Sequence, residues 1–261
     1  MPTVTTSGAK LDWESEGSGP PVLITSQLFS DRLVLRPLVD ELARDHTVIT
    51  YDARGTGASS PGGPFDLATD AADMGAILEA AAGEPAVAVA LGNSADAAVL
   101  LAADRSDLAK AVVVAFGNPA GLRASGGSEA LSGSVSVVDA LVEMLERDYR
   151  GALRSVIATG NPQMSDDEVR ERVRRQEAYC PGDVAVARVT AWREAKVYEQ
   201  AASLGDRLWI LQHPNNPWFP TDLLEPLRKL LPEAHIEEIA DGHLSRPDLT
   251  AGIVRRISKV T

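Results

Sequence analysis

The sequence predicts an α/β fold: a mostly parallel β-sheet with α-helices on both faces and an inserted helical cap. The first observation behind this prediction is the alternation of short apolar runs with longer helical stretches, which is typical of a parallel sheet. The second is a single interruption over residues 117–205, where helical patterns follow one another without a convincing strand. The alternation of strand and helix then resumes.

The elements before the interruption begin with residues 10–16, whose alternating polarity predicts a half-exposed edge strand. The strands that follow are continuous apolar runs, as expected for strands covered on both faces. Ser30 and Asp31 can cap the first helix, which contains Pro37. The predicted buried strands are 22–25, 47–51, 86–91 and 111–116, and the predicted helices are 33–45, 66–82 and a stretch after residue 95.

The interruption contains a Gly- and Ser-rich patch, residues 121–136, followed by helical segments. We interpret it as a cap inserted into the sheet domain. The predicted division is 1–118 for the first part of the core, 119–205 for the cap and 206–261 for the second part of the core. The predicted cap helices are 137–150, 165–179 and 184–204, and the later elements are strands 208–211 and 235–239 and helices 221–231 and 247–258.

Composition excludes several classes of protein. The net charge of −12 argues against nucleic acid binding, which depends on phosphate neutralisation by Lys and Arg. The single cysteine, Cys180, excludes an intramolecular disulfide. No apolar run reaches the length of a membrane span and the first residues carry no signal-peptide core, so we expect a cytoplasmic protein without a membrane partner. Little lysine beside abundant arginine, alanine and glycine suggests a bacterial source.

The candidate nucleophile is Ser94, in the stretch Gly92-Asn93-Ser94-Ala95-Asp96 between an apolar strand and a helix. Such a corner is expected to turn the hydroxyl out of the sheet, and the free N–H groups of the helix point at whatever is bound there. Serine is also a favoured helix N-cap, so a purely structural role for this residue is the alternative.

Three stretches together resemble the α/β-hydrolase fold family, with a cap, over nearly the whole chain. They are the loop 51–59 (YDARGTGAS), the serine corner 92–96, and Asp241-Gly242-His243 after the last strand. The resemblance implies the chain order serine, acid, histidine. One departure is Asp96, where the family's elbow has a glycine. We expect the loop 51–59 to be structural, with Asp52 and Arg54 satisfying local backbone and charge.

The resemblance implies that His243 is the general base, because it alone of the four histidines follows the final strand in a glycine-containing loop. The sequence departs from the family's pattern at the position of the acid. Asn216 falls on the position after the seventh strand, and Asn118 on the alternative position after the sixth. An asparagine oxygen can accept the imidazole N–H and orient the ring, or Asn216 can simply form a turn. Gln212, Asp222 and Asp241 are nearby alternatives that no spacing supports.

The family's His-Gly after the third strand is replaced by Thr25-Ser26. By position, the resemblance assigns the oxyanion hole to the backbone N–H groups of Gln27 and Ala95. Gln27 can equally be an ordinary loop residue. The aromatic residues Phe29, Trp218 and Phe219 follow strand ends, where they can line an apolar substrate pocket or serve in packing.

The function that these features predict is a serine acyl hydrolase acting on an ester, lactone or thioester of a small or medium apolar metabolite. Ser94, His243 and Asn216 would carry the reaction. One alternative is non-hydrolytic chemistry on the same fold, such as elimination, decarboxylation or cyclisation in secondary metabolism. Another is a ligand-binding protein without turnover. The sequence has no residues at metal-ligand spacing and no dinucleotide or P-loop motif, so we expect no cofactor. The expected partner is a small-molecule substrate, and a homo-oligomer is left open.

Overall fold

The computed structural model describes residues 2–25, 28–116, 132–214, 224–242 and 245–259. Its strands are short, and those in the middle of the sheet are continuous apolar runs, which explains their burial on both faces. The strands are β1 (Thr3–Thr6), β2 (Ala9–Gly17), β3 (Pro21–Ile24), β4 (Thr47–Tyr51), β5 (Ala86–Leu91), β6 (Ala109–Phe116), β7 (Leu208–Gln212) and β8 (His235–Glu238).

The first two helices begin at aspartates, as their sequences favour. Asp31 accepts a hydrogen bond from the Val34 N–H, and Asp66 accepts one from the Thr69 N–H. The helices are α1 (Arg32–Leu42), α2 (Leu67–Ala81), α3 (Ala95–Asp104), α4 (Ser132–Arg147), α5 (Tyr149–Gly160), α6 (Asp166–Tyr179), α7 (Gly182–Glu194), α8 (Tyr198–Leu204), α9 (Leu224–Leu230) and α10 (Pro247–Lys259).

The strands form one sheet in the order β1-β2-β4-β3-β5-β6-β7-β8. β1 and β2 pair antiparallel with their neighbours, and all the other pairs are parallel. The prediction that residues 10–16 form an edge strand is wrong for the first part of β2, because Ala9–Asp12 pair with β1; in the described sheet, Trp13–Gly17 pair only with β4. The chain runs from β3 outward to β4 and then returns to β5 on the other side, so the order reverses between β3 and β5. Ligands of open α/β sheets bind at the carboxyl ends of the strands at such a reversal.

Helices cover both faces of the sheet, which confirms the predicted fold class. One face packs on α1 and α10 through side chains such as Leu38 and Val254. The other packs on α2, α3, α8 and α9, for example through Met74 and Leu227. The alanines of β5 and α3 allow this strand and its helix to approach closely.

The helices α4–α7 lie between β6 and β7 in the chain and form apolar clusters of their own with Leu28 and Phe29. The α5 helix was not predicted, and the predicted helix 184–204 is two helices, α7 and α8. The α8 side chains Ala201 and Leu204 pack in the core beside the sheet. The division of the chain at residues 118 and 205 stays a prediction.

Polar contacts attach the inserted helices to loops at the carboxyl edge of the sheet. The Gln176 side chain donates to the Leu28 carbonyl oxygen at 2.8 Å, and the Tyr179 hydroxyl donates to Asp52 at 3.1 Å. Arg188 donates to the Arg54 carbonyl oxygen at 2.9 Å. These helices therefore lie close to the loops that follow β3 and β4. Within the described ranges, no helix is long and apolar enough to cross a bilayer.

Candidate active site

The corner between β5 and α3 is a short 3-10 turn over Gly92–Ser94. Gly92 has φ +56°, in the left-handed region that glycine adopts without steric cost. Ser94 has φ −83° and ψ −5°, an ordinary helical conformation. The chain therefore makes its sharp turn at Gly92, and Ser94 comes two residues later, directly before α3.

The hydroxyl of Ser94 points back towards the sheet, which differs from the expectation that the corner turns it outward. It donates to the Leu91 carbonyl oxygen at 2.7 Å, and the residue is 4% exposed. The cause is the position of the turn. A serine three residues after a strand-end carbonyl can reach it, and serine side chains readily bond to nearby backbone in this way.

Thr25, at the end of β3, lies against Ser94. The two hydroxyl oxygens are 2.5 Å apart, and Thr25 is fully buried. Thr25 Oγ1 also accepts the Leu91 N–H at 3.1 Å. Since the single proton of Ser94 goes to the Leu91 carbonyl, Thr25 is the donor in the bond to Ser94. This pair joins the carboxyl ends of β3 and β5, where the strand order reverses.

The predicted oxyanion donor in the described residues is Ala95. It is fully buried, and its N–H donates to the Gly92 carbonyl oxygen. Asp96 follows in the first turn of α3 and is also fully buried, where a carboxylate suits the positive end of the helix dipole. In this conformation the N–H group of Ala95 is satisfied within the turn.

The loop after β3 is fixed to the corner by Asn93, whose Oδ1 accepts the Leu28 N–H at 3.0 Å. The neighbouring Phe29 is half-buried and packs against the apolar clusters of the inserted helices. Phe29 thus lies between the loop of the candidate site and those helices, and its contact with a substrate stays a prediction.

His213 is the one histidine of the described residues that follows a strand at the carboxyl edge of the sheet. It is 7% exposed, its Nδ1 is buried without a hydrogen-bond partner, and Gly242 packs against its ring. Burial lowers the pKa of His213, and the negative charge of Asp241 partly offsets this. Asp241 itself accepts the Gly242 N–H at 2.8 Å. His213 is therefore a mainly neutral group beside the predicted histidine loop.

The loop 51–59 has the structural role that its sequence predicts. Arg54 donates to both carboxylate oxygens of Asp73, at 2.7 and 2.6 Å, and is fully buried. Asp52 accepts the Ala58 N–H at 2.9 Å. At Gly57, with φ +53°, a Cβ would come within 2.3 Å of the Asp52 carboxylate, so glycine is required there.

Several predicted site residues lie outside the described residues, and their roles stay predictions. They are His243, Asn216, Gln27, Trp218 and Phe219, together with the alternatives Asn118 and Asp222. The side chain of Thr25 was not predicted as a partner of Ser94. The available signal was a hydroxyl residue at the end of a buried strand, but only the register of β3 on β5 brings the two hydroxyls together.

Comparison with curated proteins gives a match to one segment. Over 87 residues the chain is 37% identical to the protein named "Putative carbamate hydrolase RutD" from Azorhizobium caulinodans. That segment covers 33% of this chain and 33% of the relative, so the chain spans about a third of the length of the curated protein it matches.

Solved structures share the fold over nearly the whole chain. An esterase (EaEST) from Exiguobacterium antarcticum has a TM-score of 0.81 at 13% identity, covering 98% of each chain. Est816, titled an N-acyl homoserine lactone degrading enzyme, has a TM-score of 0.76 at 19% identity, covering 98% of this chain and 99% of its own. An enol-lactonase from Burkholderia xenovorans LB400 has a TM-score of 0.73 at 16% identity, covering 99% of this chain and 98% of its own.

The model of the alpha/beta hydrolase family matches residues 22–253, from β3 to α10. The matched range includes the Thr25–Ser94 pair, the loop 51–59 and the inserted helices. The chain therefore belongs to the alpha/beta hydrolase family.

Proposed function

We propose that this protein hydrolyses small, largely apolar esters, lactones or thioesters, with Ser94 as the nucleophile. The observation that carries the proposal is the position of Ser94, which lies directly before α3 at the reversal of strand order between β3 and β5. That point adjoins the region where open α/β sheets bind ligands. The N-terminal end of α3 favours the negative charge that develops in acyl transfer.

In the proposed reaction, the Ser94 Oγ forms a bond to the carbonyl carbon of the substrate while its proton passes to the His243 imidazole. That proton then leaves with the alcohol or thiol, and water hydrolyses the acyl-enzyme by the reverse sequence. Asn216 would orient His243, and the N–H groups of Gln27 and Ala95 would hold the oxyanion.

Attack requires Ser94 to exchange its bond to the Leu91 carbonyl for one to His243, which a rotation about χ1 accomplishes. Ala95 must likewise release the Gly92 carbonyl before its N–H can bind an oxyanion. The similar proteins are named as an esterase, lactone-degrading enzymes and a putative carbamate hydrolase, which supports hydrolysis of a carboxyl derivative in general.

The hydrogen bonds that Ser94 and Ala95 already make favour a second candidate function. With Ser94 bonded to Leu91 and Thr25, and Ala95 bonded to Gly92, the corner is stable without a substrate. Such a corner suits a non-hydrolytic member of the fold, for example one that catalyses elimination, decarboxylation or cyclisation. It equally suits a member that binds a ligand without turnover.

The test uses a fluorophosphonate probe for activated serines and a panel of aryl esters, γ-lactones, thioesters and an aryl carbamate. The variants are Ser94→Ala and His243→Ala. Ser106→Ala is the matched control, since Ser106 is an exposed serine just beyond the other end of α3. We expect labelling and turnover in the wild type and in Ser106→Ala, and neither in the two site variants.

If the folded wild-type protein is not labelled and turns over no member of the panel, the serine mechanism is wrong and the second candidate takes its place. Labelling that persists in Ser94→Ala would place the reactive serine elsewhere. Among active substrates, the ratio of carbamate to ester turnover would then assign the acyl class.

A further inference from the structure

A groove of about 430 Å³ lies between α1 and the segment that joins α5 to α6. Its volume falls within the range of about 300–1,000 Å³ that is usual for small-molecule sites. Of the site residues that the structure describes, neither Thr25, Ser94 nor Phe29 lines it. Its lining combines apolar side chains, most of them on α1, with charged side chains on α6.

The apolar wall is formed by Leu33, Val34 and Pro37 of α1 together with Met164. Leu33 is 65% exposed, the most exposed of the large apolar side chains in the described residues. An exposed apolar side chain at the edge of a groove indicates a binding site better than one on a convex face, because a ligand in the groove can cover it. The groove therefore offers contact to a hydrocarbon.

The cationic wall is centred on Arg172 of α6. Its Nη1 donates to the Asn161 side-chain oxygen at 3.2 Å, while its Nε is buried and has no hydrogen-bond partner in the described part of the chain. Among the described residues, no carboxylate lies within salt-bridge distance of Arg172. Burial, and then the neighbouring charge of Arg175, lower the pKa of the Arg172 guanidinium, and the charge of Asp31 opposes this only in part. A bound anion would offset both effects.

The other charged residues at the groove already have partners. Arg175 pairs with Asp31. Glu168 accepts the Ser165 N–H and hydroxyl, each at 2.7 Å, in the capping box of α6. Glu171 accepts Arg174 Nε at 3.1 Å. Arg172 is thus the lining cation that forms no ion pair among the described residues, and an ion pair in such a half-buried place is stronger than one in water.

We propose that this groove binds a small organic anion with an apolar body, whose carboxylate pairs with Arg172 and whose hydrocarbon chain lies along Leu33, Pro37 and Met164. A chain of about eight carbons fits the volume. Arg172 supplies specificity for the anion, because a hydrogen bond from its charged guanidinium to a carboxylate is stronger than one between neutral groups. The apolar wall supplies specificity for a chain over a small anion such as acetate.

The experiment is calorimetric titration of the full-length protein with octanoate, octan-1-ol and acetate. We expect octanoate to bind with a stoichiometry of one, and both other probes to bind at least about tenfold more weakly. Arg172→Gln should weaken octanoate binding about tenfold or more, and Arg172→Lys should weaken it less, because the charge remains. Leu33→Asp should also weaken it.

Arg170→Gln is the matched control, since Arg170 is an exposed arginine on the same helix that pairs with Asp167, and neither residue lines the groove. It should bind octanoate within about twofold of the wild type. Octanoate could also bind at the active site as a reaction product, and such binding would survive Arg172→Gln. Equal binding of octanoate by wild type and Arg172→Gln, equal binding of octan-1-ol and octanoate, or no binding at millimolar octanoate would each overturn the proposal.

Discussion

The hydroxyl oxygens of Thr25 and Ser94 lie 2.5 Å apart and join the carboxyl ends of two neighbouring parallel strands. The bonds around them form a closed set. The Leu91 N–H donates to Thr25, Thr25 donates to Ser94, and Ser94 donates to the Leu91 carbonyl. All of these groups are buried, where an unmade hydrogen bond is costly. The pair therefore both stabilises the corner and holds the hydroxyl of Ser94 in place.

Thr25→Val should destabilise the protein by about 1–2 kcal/mol, because it removes the main acceptor of a buried N–H group and one donor to Ser94. Urea unfolding followed by circular dichroism measures this change. Thr25→Ser keeps the hydroxyl and should retain more of the stability. If Val and Ser variants unfold at the same urea concentration, the hydroxyl of Thr25 contributes nothing and the bond is not formed in solution.

Gly92→Ala should destabilise the protein by about 1–2 kcal/mol, because alanine pays a steric cost at a φ of +56°. Gly83→Ala is the control. Gly83 does not have a left-handed φ, and a Cβ there would meet no atom within 4 Å. The control should be neutral or slightly stabilising. Equal melting temperatures for the two variants would mean that the turn is not made at Gly92.

Much of the fold could be predicted from sequence because the central strands are unusually apolar. β5 is a run of alanine, valine and leucine that must be buried on both faces, and its alternation with helices predicts parallel pairing. β1 carries no such pattern, since its residues are exposed or half-buried, and without it the prediction left the first part of β2 unpaired. The junction of α7 and α8 contains neither glycine nor proline, so no local signal marks it.

The candidate site was less predictable. The position of Ser94 between a strand and a helix could be derived from local pattern alone. The direction of its hydroxyl could not, because it depends on which residue takes the left-handed turn and on a threonine 69 residues away in the chain. Contacts of this kind depend on strand register, which a single sequence does not specify when both faces of the strands are apolar.

Asp73→Asn should destabilise the protein by about 3–5 kcal/mol, because it leaves the fully buried guanidinium of Arg54 without its charged partner. The free energy of unfolding in urea is again the measurement. Asp107→Asn breaks the exposed pair with Arg105 and serves as the control, with no measurable change expected. A loss in Asp73→Asn no larger than that of the control would show that Arg54 gains another partner or reaches water.

His213 should make stability fall as the pH is lowered through about 6.5, the ordinary pKa of histidine. Burial lowers the pKa of His213 in the folded protein. Below about pH 6.5 the unfolded chain therefore binds a proton that the folded protein does not, and the free energy of unfolding decreases until the pH passes the folded pKa. The stabilisation is fully present above that range. His213→Gln cannot titrate, so its stability should decrease less than that of the wild type between pH 7.5 and pH 5.

Asp241→Asn tests the pKa of His213 by removing the charge that raises it. The Asp241 charge raises the pKa of His213, in opposition to burial. Removing that charge lowers the folded pKa further, so the variant should lose more stability than the wild type over the same pH range. The measurement is urea unfolding at half-unit pH steps, with wild type and both variants in parallel so that all other titrating groups cancel. If the slope for His213→Gln equals that of the wild type, His213 titrates alike in both states and is not buried as a neutral imidazole.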